Sequence, residues 1–291
     1  MLEAGFRSTQ WQELTFAVVG LGLIGGSYAK ALRQLRGKRI IGVERNPATL
    51  RQAAELGIID EALTEAGPEL AQADVLICAI YPEAIADFIK SNVQFLSPHV
   101  LITDVAGIKG DMIRRVQEAL LPGMEFISGH PMAGRQSSGL AMADAAIFHN
   151  ANYIVVPEAG NTPQAVAWLE QFALALGCAR TVRVTPEEHD RTIAFTSNLP
   201  HVTAVALMDS ASYNEKTKYF VAGSFRDGTR VADINPELWC SLFLANKEKV
   251  ADEIDKYMEQ LTLWRDALRA GDGETLKALM RTAAARRKEL Y

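Results

Sequence analysis

The sequence predicts an α/β protein in two parts: a doubly wound, parallel-sheet domain over residues 1–184 and an all-helical domain over 185–291. Two observations carry this. Short runs that are apolar on both faces alternate with helix-like segments through the first half, the pattern of a parallel sheet covered on both sides. After Val184 that alternation stops, and Thr185-Pro186-Glu187-Glu188 opens a long helical stretch with a threonine cap, proline at the first helical position and a glutamate three residues on.

The elements follow in order. Phe16–Val19 is a β-rich run ending in glycines, and residues 27–36 form a helix. Arg39–Val43 is the second strand, and Pro47 opens the next helix where its missing N–H costs nothing. Residues 74–80 and 100–103 are further apolar strands. Later strands are expected at 153–157 and 180–184, with a helix over 163–176 between them. Beyond 185 only 198–200, 225–228 and 271–273 carry turn signals. A helical half so rich in Leu, Ala and Met suggests a dimer interface. There is no internal repeat, and Arg281, Arg286, Arg287 and Lys288 read as a solvated helix face.

Composition narrows the function classes. With 48% hydrophobic and 22% charged residues the chain is that of a globular protein, not a disordered one. Thirty Lys and Arg against 35 Asp and Glu, a net charge of -5, give no general footprint for nucleic acid. Cys78, Cys178 and Cys240 are too few and too scattered for a disulfide framework or a metal cluster, and Cys78 sits in an apolar run as a core residue. No stretch has the length of a bilayer span and the start lacks a signal-peptide plan, so a reducing cytoplasm is the expectation.

Gly20-Leu21-Gly22-Leu23-Ile24-Gly25 fits G-x-G-x-x-G directly between a strand and a helix, which is the context the dinucleotide motif requires. Such a Rossmann-type loop uses its first glycine for a tight turn, its second for backbone approach to a pyrophosphate and its third for close helix–strand packing. Glu44, after the second strand, stands where an acid takes a ribose hydroxyl and repels a 2′-phosphate. That favours NAD over NADP, although Arg45 beside it could turn toward such a phosphate. Downstream, His130 lies in Ser128-Gly129-His130-Pro131-Met132-Ala133-Gly134, read as a constrained turn. A dinucleotide loop followed by a held imidazole suggests hydride transfer with histidine as acid or base.

Four further segments complete the pattern: Asp104-Val105-Ala106-Gly107-Ile108-Lys109, the His130 segment, Ser197-Asn198-Leu199-Pro200-His201 and Phe225-Arg226-Asp227-Gly228-Thr229-Arg230. In that order they resemble the prephenate/arogenate dehydrogenase family of tyrosine biosynthesis, from the glycine loop through Trp239 and Asn246-Lys247-Glu248. The resemblance implies NAD-dependent oxidative decarboxylation of a dihydro-ring, with prephenate or arogenate as the small-molecule substrate, by a cytoplasmic homodimer. It implies a single-function form, with neither a chorismate mutase segment nor a regulatory module.

Residue by residue, the resemblance gives His130 the ring-hydroxyl proton and sets Arg230 against the ring carboxylate. A guanidinium fork suits such a group. It places His201 in the substrate pocket, where Pro200 should kink the helix; a histidine merely packed at that kink is the alternative. Asp227, one helical turn before Arg230, could hold the arginine or form a structural ion pair, and Trp239 could wall the pocket or belong to a core. His189, in Glu-Glu-His-Asp, reads as exposed. Two departures stand out. Gly107 replaces a serine common in the family, leaving water or Lys109 to assist at the ring oxygen. Gln136 replaces a glutamate of the arginine's ionic network. A β-hydroxyacid dehydrogenase is the competing enzyme reading, but no lysine is followed four residues later by Asn or Asp as that family's motif demands. A noncatalytic nucleotide sensor would need the glycines and Glu44 but neither His130 nor Arg230.

Overall fold

The computed structural model describes residues 10–134 and 138–290. One eight-stranded sheet organises the first half, in the order β3-β2-β1-β4-β5-β6-β7-β8. The strands are β1 (Thr15–Val19), β2 (Arg39–Val43), β3 (Glu61–Leu63), β4 (Val75–Cys78), β5 (Leu101–Asp104), β6 (Glu125–Pro131), β7 (Asn152–Val156) and β8 (Arg180–Arg183). Strands β1 to β6 run parallel, joined by α1 (Leu23–Gln34), α2 (Pro47–Glu55), α3 (Pro82–Asn92) and α4 (Gly110–Ala119). Helix α2 starts at Pro47 because the Asn46 carboxamide accepts from the N–H groups of Ala48 and Thr49.

The wholly parallel sheet expected from sequence gives way at β7, which pairs antiparallel to β6, with β8 parallel to β7. A parallel crossover needs a helix to carry the chain back. Between β6 and β7 the described residues hold only the short 3₁₀ turns Leu140–Met142 and Ala145–Phe148. Helix α5 (Pro163–Ala175) supplies the crossover from β7 to β8. Two strands were not expected. β3 is short and half polar, and β6 is hidden by its Gly129 and Pro131.

Alternation along β1 shows how the core is layered. Phe16 and Val18 point into a cluster with Tyr28, Leu32, Phe148, Trp168 and Phe172, under α1 and α5. Ala17 and Val19 point the other way, toward Ile85, Ile89, Ile113 and Val116 of α3 and α4. Each fully buried side chain of this size stabilises the fold by roughly 1.5–3 kcal/mol.

The helical half comprises α6 (Pro186–Ile193), α7 (Leu199–Met208), α8 (Gly223–Thr229), α9 (Pro236–Ala245), α10 (Lys247–Ala270) and α11 (Gly273–Glu289). Helix α6 opens on the expected capping box, with Thr185 and Glu188 each bonded to the other's backbone. A π-helical turn, Ala194–Asn198, joins α6 to α7 just before Pro200, so the predicted kink takes the form of a widened turn. Helix α10 ends at Gly271, whose φ of 67° makes a left-handed cap. Buried apolar residues are few here, whereas Phe220 and Tyr219 are 82% and 77% exposed and Phe195, Leu244 and Leu268 also face outward. Among the described residues no helix is long and apolar enough to cross a membrane.

Candidate active site

The glycine loop has the geometry its motif requires. Gly20 has φ +86°, and a Cβ there would meet the Ala79 carbonyl oxygen at 2.5 Å. A Cβ on Gly25 would lie 1.8 Å from the Gly20 oxygen, so only glycine lets α1 start this close to the strand. Nothing comes within 4 Å of a Cβ on Gly22, leaving open backbone at the α1 N-terminus, the polarity that suits a pyrophosphate. Leu23 and Ile24 already belong to α1, which therefore begins before the predicted residue 27. The Glu44 carboxylate, at the end of β2, accepts from Leu21 N and Asn46 N at 2.9 Å each and so ties the second strand to the loop. Arg45 is exposed.

His130 stands near the end of β6, where it pairs with Ile154 of β7, so it sits on a strand and not in the predicted turn. Gly129 before it cannot carry a side chain: a Cβ would meet the Tyr153 hydroxyl at 2.4 Å. A buried ionic lattice fixes this strand end. Asp104, the last residue of β5, accepts from Ser128 Oγ at 2.6 Å, Gly129 N at 3.2 Å, Ala106 N at 2.8 Å and Lys109 Nζ at 2.7 Å. Lys109 Nζ also donates to the Gly129 carbonyl at 2.7 Å.

Lys109 is thus no substitute for the family serine. Its side chain has 0% exposure, and its ammonium is committed to Asp104 and the backbone beside His130. Burial pulls the Lys109 ammonium below its usual range, while Asp104 holds it up. The His130 imidazole is held well below the ordinary histidine range, first by burial and then by the charges of Lys109 and His189. It is therefore neutral at physiological pH, the form a base needs.

His189 is the main correction. The sequence reading left it on the surface, yet it is buried, with Nε2 2.9 Å from His130 Nδ1 and Nδ1 2.7 Å from Asp190 Oδ1. Burial lowers its pKa despite the opposing pull of Asp190. Asp190 in turn accepts from Lys109 N at 2.8 Å and Gly110 N at 2.6 Å, capping α4 from across the domain junction. Helix periodicity held the missing signal. Residues 189, 190, 193 and 194 form one buried stripe, opposite the exposed Glu187, Glu188, Arg191 and Thr192.

Gly107 faces His130. A Cβ there would lie 3.9 Å from His130 Nε2 and 3.9 Å from Leu242 of α9, ordinary contact distances. Leu242 and Trp239, three residues apart, share one face of α9. The Trp239 indole packs against His201 with ring centroids 3.6 Å apart and planes tilted by 30°. His201 gives Nδ1–H to the Ser197 carbonyl at 2.8 Å, leaving Nε2 free to accept. Its pKa is lowered by burial and, after the opposing Ser197 bond, by the nearby charge of Arg230. Arg230 follows α8 in a 3₁₀ turn, Arg230–Ala232. Asp227 does not hold it: Asp227 is exposed on α8 and forms no ion pair among the described residues. Gln136 lies outside the described residues.

Comparisons with known proteins agree on the family. The family described as "Prephenate dehydrogenase, nucleotide-binding domain" matches residues 28–182, and "Prephenate dehydrogenase, dimerization domain" matches residues 185–282. Prephenate dehydrogenase of Bacillus subtilis is 34% identical over 92% of this chain and 74% of its own length. Cyclohexadienyl dehydrogenase of Zymomonas mobilis is 29% identical over 89% of this chain and 90% of its own. Among solved structures, Aquifex aeolicus prephenate dehydrogenase, in complex with hydroxyphenyl propionate and NAD+, superposes with TM-score 0.85 at 28% identity, covering 94% of this chain and 98% of that one. Synechocystis arogenate dehydrogenase superposes with TM-score 0.82 at 27% identity, covering 96% and 100%. The chain belongs to the prephenate dehydrogenase family.

Proposed function

We propose that this protein is an NAD-dependent prephenate dehydrogenase, converting prephenate to 4-hydroxyphenylpyruvate and CO2. The observation that carries this reading is the placement of His130, locked at a strand end where burial lowers its pKa, with Nε2 toward the open position beside Gly107. Prephenate presents a ring hydroxyl, a ring carboxylate opposite it and a pyruvyl side chain. NAD, when bound, supplies the hydride acceptor. Gly20, Gly22, Leu23, Ile24 and Gly25 would hold its pyrophosphate and Glu44 its ribose, and the open backbone at Gly22 fits that use.

His130 takes the hydroxyl proton at Nε2. Oxidation leaves a vinylogous β-keto acid, which loses CO2 as the ring becomes aromatic, so the protein's task is to position the substrate and accept one proton. Arg230 orients a carboxylate, His201 offers Nε2 as an acceptor, and Trp239 fixes the His201 ring. Because the ring carboxylate departs as neutral CO2, tight pairing with Arg230 would favour the ground state over the transition state. Its contribution is therefore orientation more than rate. The space a Gly107 side chain would fill is free for water or for the substrate itself.

Residues 1–184 are proposed as the nucleotide domain and 185–291 as the substrate and dimerisation domain of a cytoplasmic homodimer. The apolar surface of the helical half and the matching family's description as a dimerization domain support the dimer. Arogenate is the second reading, favoured by the likeness to the Synechocystis enzyme. Side-by-side kinetics with prephenate and arogenate, each with NAD+ and NADP+, test all of this. NADH from prephenate at the higher kcat/KM is expected, and no NADH from either substrate overturns the assignment.

A further inference from the structure

We propose that His189 and Asp190 form a relay behind His130 that dictates which nitrogen of His130 is bare and then takes over the positive charge that His130 gains when it accepts a proton. This rests on the reading of His130 as the base and assigns a residue pair to that step.

The chain of donors and acceptors has one consistent solution. The Asp190 carboxylate faces three donors: Lys109 N, Gly110 N and the His189 ring. Burial pushes Asp190 up, but those hydrogen bonds hold it below the usual carboxylate range, so it is ionised and can only accept. His189 Nδ1, 2.7 Å from Asp190 Oδ1, must therefore carry the hydrogen, which leaves His189 Nε2 bare. That nitrogen lies 2.9 Å from His130 Nδ1, and two lone pairs cannot face each other there. His130 Nδ1 thus carries a hydrogen and donates it to His189. The bare nitrogen of His130 is then Nε2, the one toward Gly107. Asp190 determines the reactive atom of a histidine two rings away.

The same geometry provides a path for charge. As the substrate C–H hydride leaves for the bound dinucleotide, the O–H proton moves to His130 Nε2 and a C=O bond forms. The Nδ1 proton of His130 can then cross to His189 Nε2, leaving His130 neutral and His189 an imidazolium against the Asp190 carboxylate. Lys109 opposes positive charge on both rings, but His189 alone has the Asp190 carboxylate on its far nitrogen, and that favours the transfer. The groups facing His189 are His130 on β6, Asp104 on β5, Lys109 before α4 and Asp190 on its own helix. Asn246 holds the Asp190 carbonyl from the α9–α10 junction. His189 is a positioning residue and touches no substrate.

Nitrogen-15 spectra of the histidine side chains in the wild-type enzyme are the first test. The expected result is Nδ1–H with bare Nε2 for both His130 and His189; a hydrogen on His130 Nε2 overturns the proposal. Kinetics form the second. His189→Ala should slow single-turnover NADH formation by roughly 10²–10³-fold, while NAD+ affinity and substrate KM stay within about threefold. His189→Gln, whose amide oxygen still accepts from Nδ1–H, should recover at least about tenfold of that loss. In H2O/D2O mixtures the wild-type rate should bow, as two moving protons require, and the Gln variant should give a straight line. Wild-type rates in the Ala variant, or a straight line in the wild type, overturn the relay. A merely structural histidine would lower the melting temperature and leave the proton inventory unchanged. If neither prephenate nor arogenate is oxidised, the proposed function fails while the tautomer spectra still judge the hydrogen-bond chain.

Discussion

The two sides of the site are built on different physical terms. On the sheet side, Asp104, Lys109 and Ser128 are buried and bonded to one another or to backbone, and His130 stands at the edge of that lattice, backed by the buried His189 of α6. On the helical side, Arg230 is exposed and Trp239 and His201 are half-buried, on helices that contribute little to any core. The difference separates two tasks. Proton transfer needs a base whose pKa and direction do not drift, which a dry, cross-braced strand end supplies. Recognition of a carboxylate needs a cation that reaches the substrate, and a guanidinium keeps its charge at an exposed position.

This contrast predicts where substitutions hurt most. His130→Asn should cut kcat by roughly 10²–10⁴-fold, the usual range for general-base removal, with NAD+ affinity unchanged by fluorescence titration. Equal losses in both would make the residue structural. The sheet side also sets the pH profile. Because His130 is held below the ordinary histidine value, the neutral form persists through pH 7, and kcat falls only as pH drops below the usual imidazole range. The same depression means that an unfolded chain binds more protons on the way down, so stability is present above about pH 6.5 and declines with activity below it. A kcat profile that already falls between pH 8 and 7 would show that the lattice does not tune His130.

Lys109→Met comes next. It leaves the Asp104 carboxylate buried without its cation and should cost about 3–5 kcal/mol in urea unfolding. Arg230→Gln should leave the unfolding midpoint nearly unchanged, because a surface substitution costs less than about 0.5 kcal/mol. It should instead raise substrate KM roughly tenfold or more, well beyond any loss in kcat. A kcat loss larger than the KM change would move Arg230 from orientation to catalysis and erase the contrast between the two sides.

What the sequence shows and hides follows the same line. The glycine loop, Glu44, Thr185 and the strands around them obey local rules, and they stand where their motifs place them. Strand β6 escaped notice because Gly129 and Pro131 read as turn residues. Its first residues pair with β5, but the stretch from Ser128 to Pro131 pairs with β7, more than twenty residues downstream and antiparallel, which no local signal announces. His189 escaped because its neighbours Glu187 and Glu188 are charged, and the stripe that buries it emerges only over two helical turns. Lys109 read as a free cation because lysine so rarely lies fully buried; only the approach of Asp104 and the Gly129 carbonyl makes that tolerable. Local pattern thus singled out His130, and tertiary contact determined its partners.

The exposed aromatics of the helical side give a smaller effect with a separate readout. Replacing Tyr219 and Phe220 together by serine removes two large apolar groups that already face water, so monomer stability should hardly move. If they lie in the proposed interface, the dimer dissociation constant should rise at least about tenfold in sedimentation equilibrium. An unchanged constant would place the interface elsewhere on the helices.

The smallest effect is expected at the nucleotide loop, where one carboxylate serves two ends. Glu44 accepts from Leu21 N and Asn46 N, and the same charge opposes a 2′-phosphate at the ribose position. Glu44→Gln keeps one acceptor for the loop and removes the charge. NAD+ KM should then rise only a few-fold and kcat should hold, since His130 is untouched. NADP+ should gain a few-fold in kcat/KM, helped by Arg45, which is exposed and free to turn toward the phosphate. Thermal melting separates the two ends. A lower melting temperature with an unchanged NAD+ to NADP+ ratio would leave Glu44 as a clamp on the loop and nothing more. A shifted ratio at constant melting temperature would make its charge the selector.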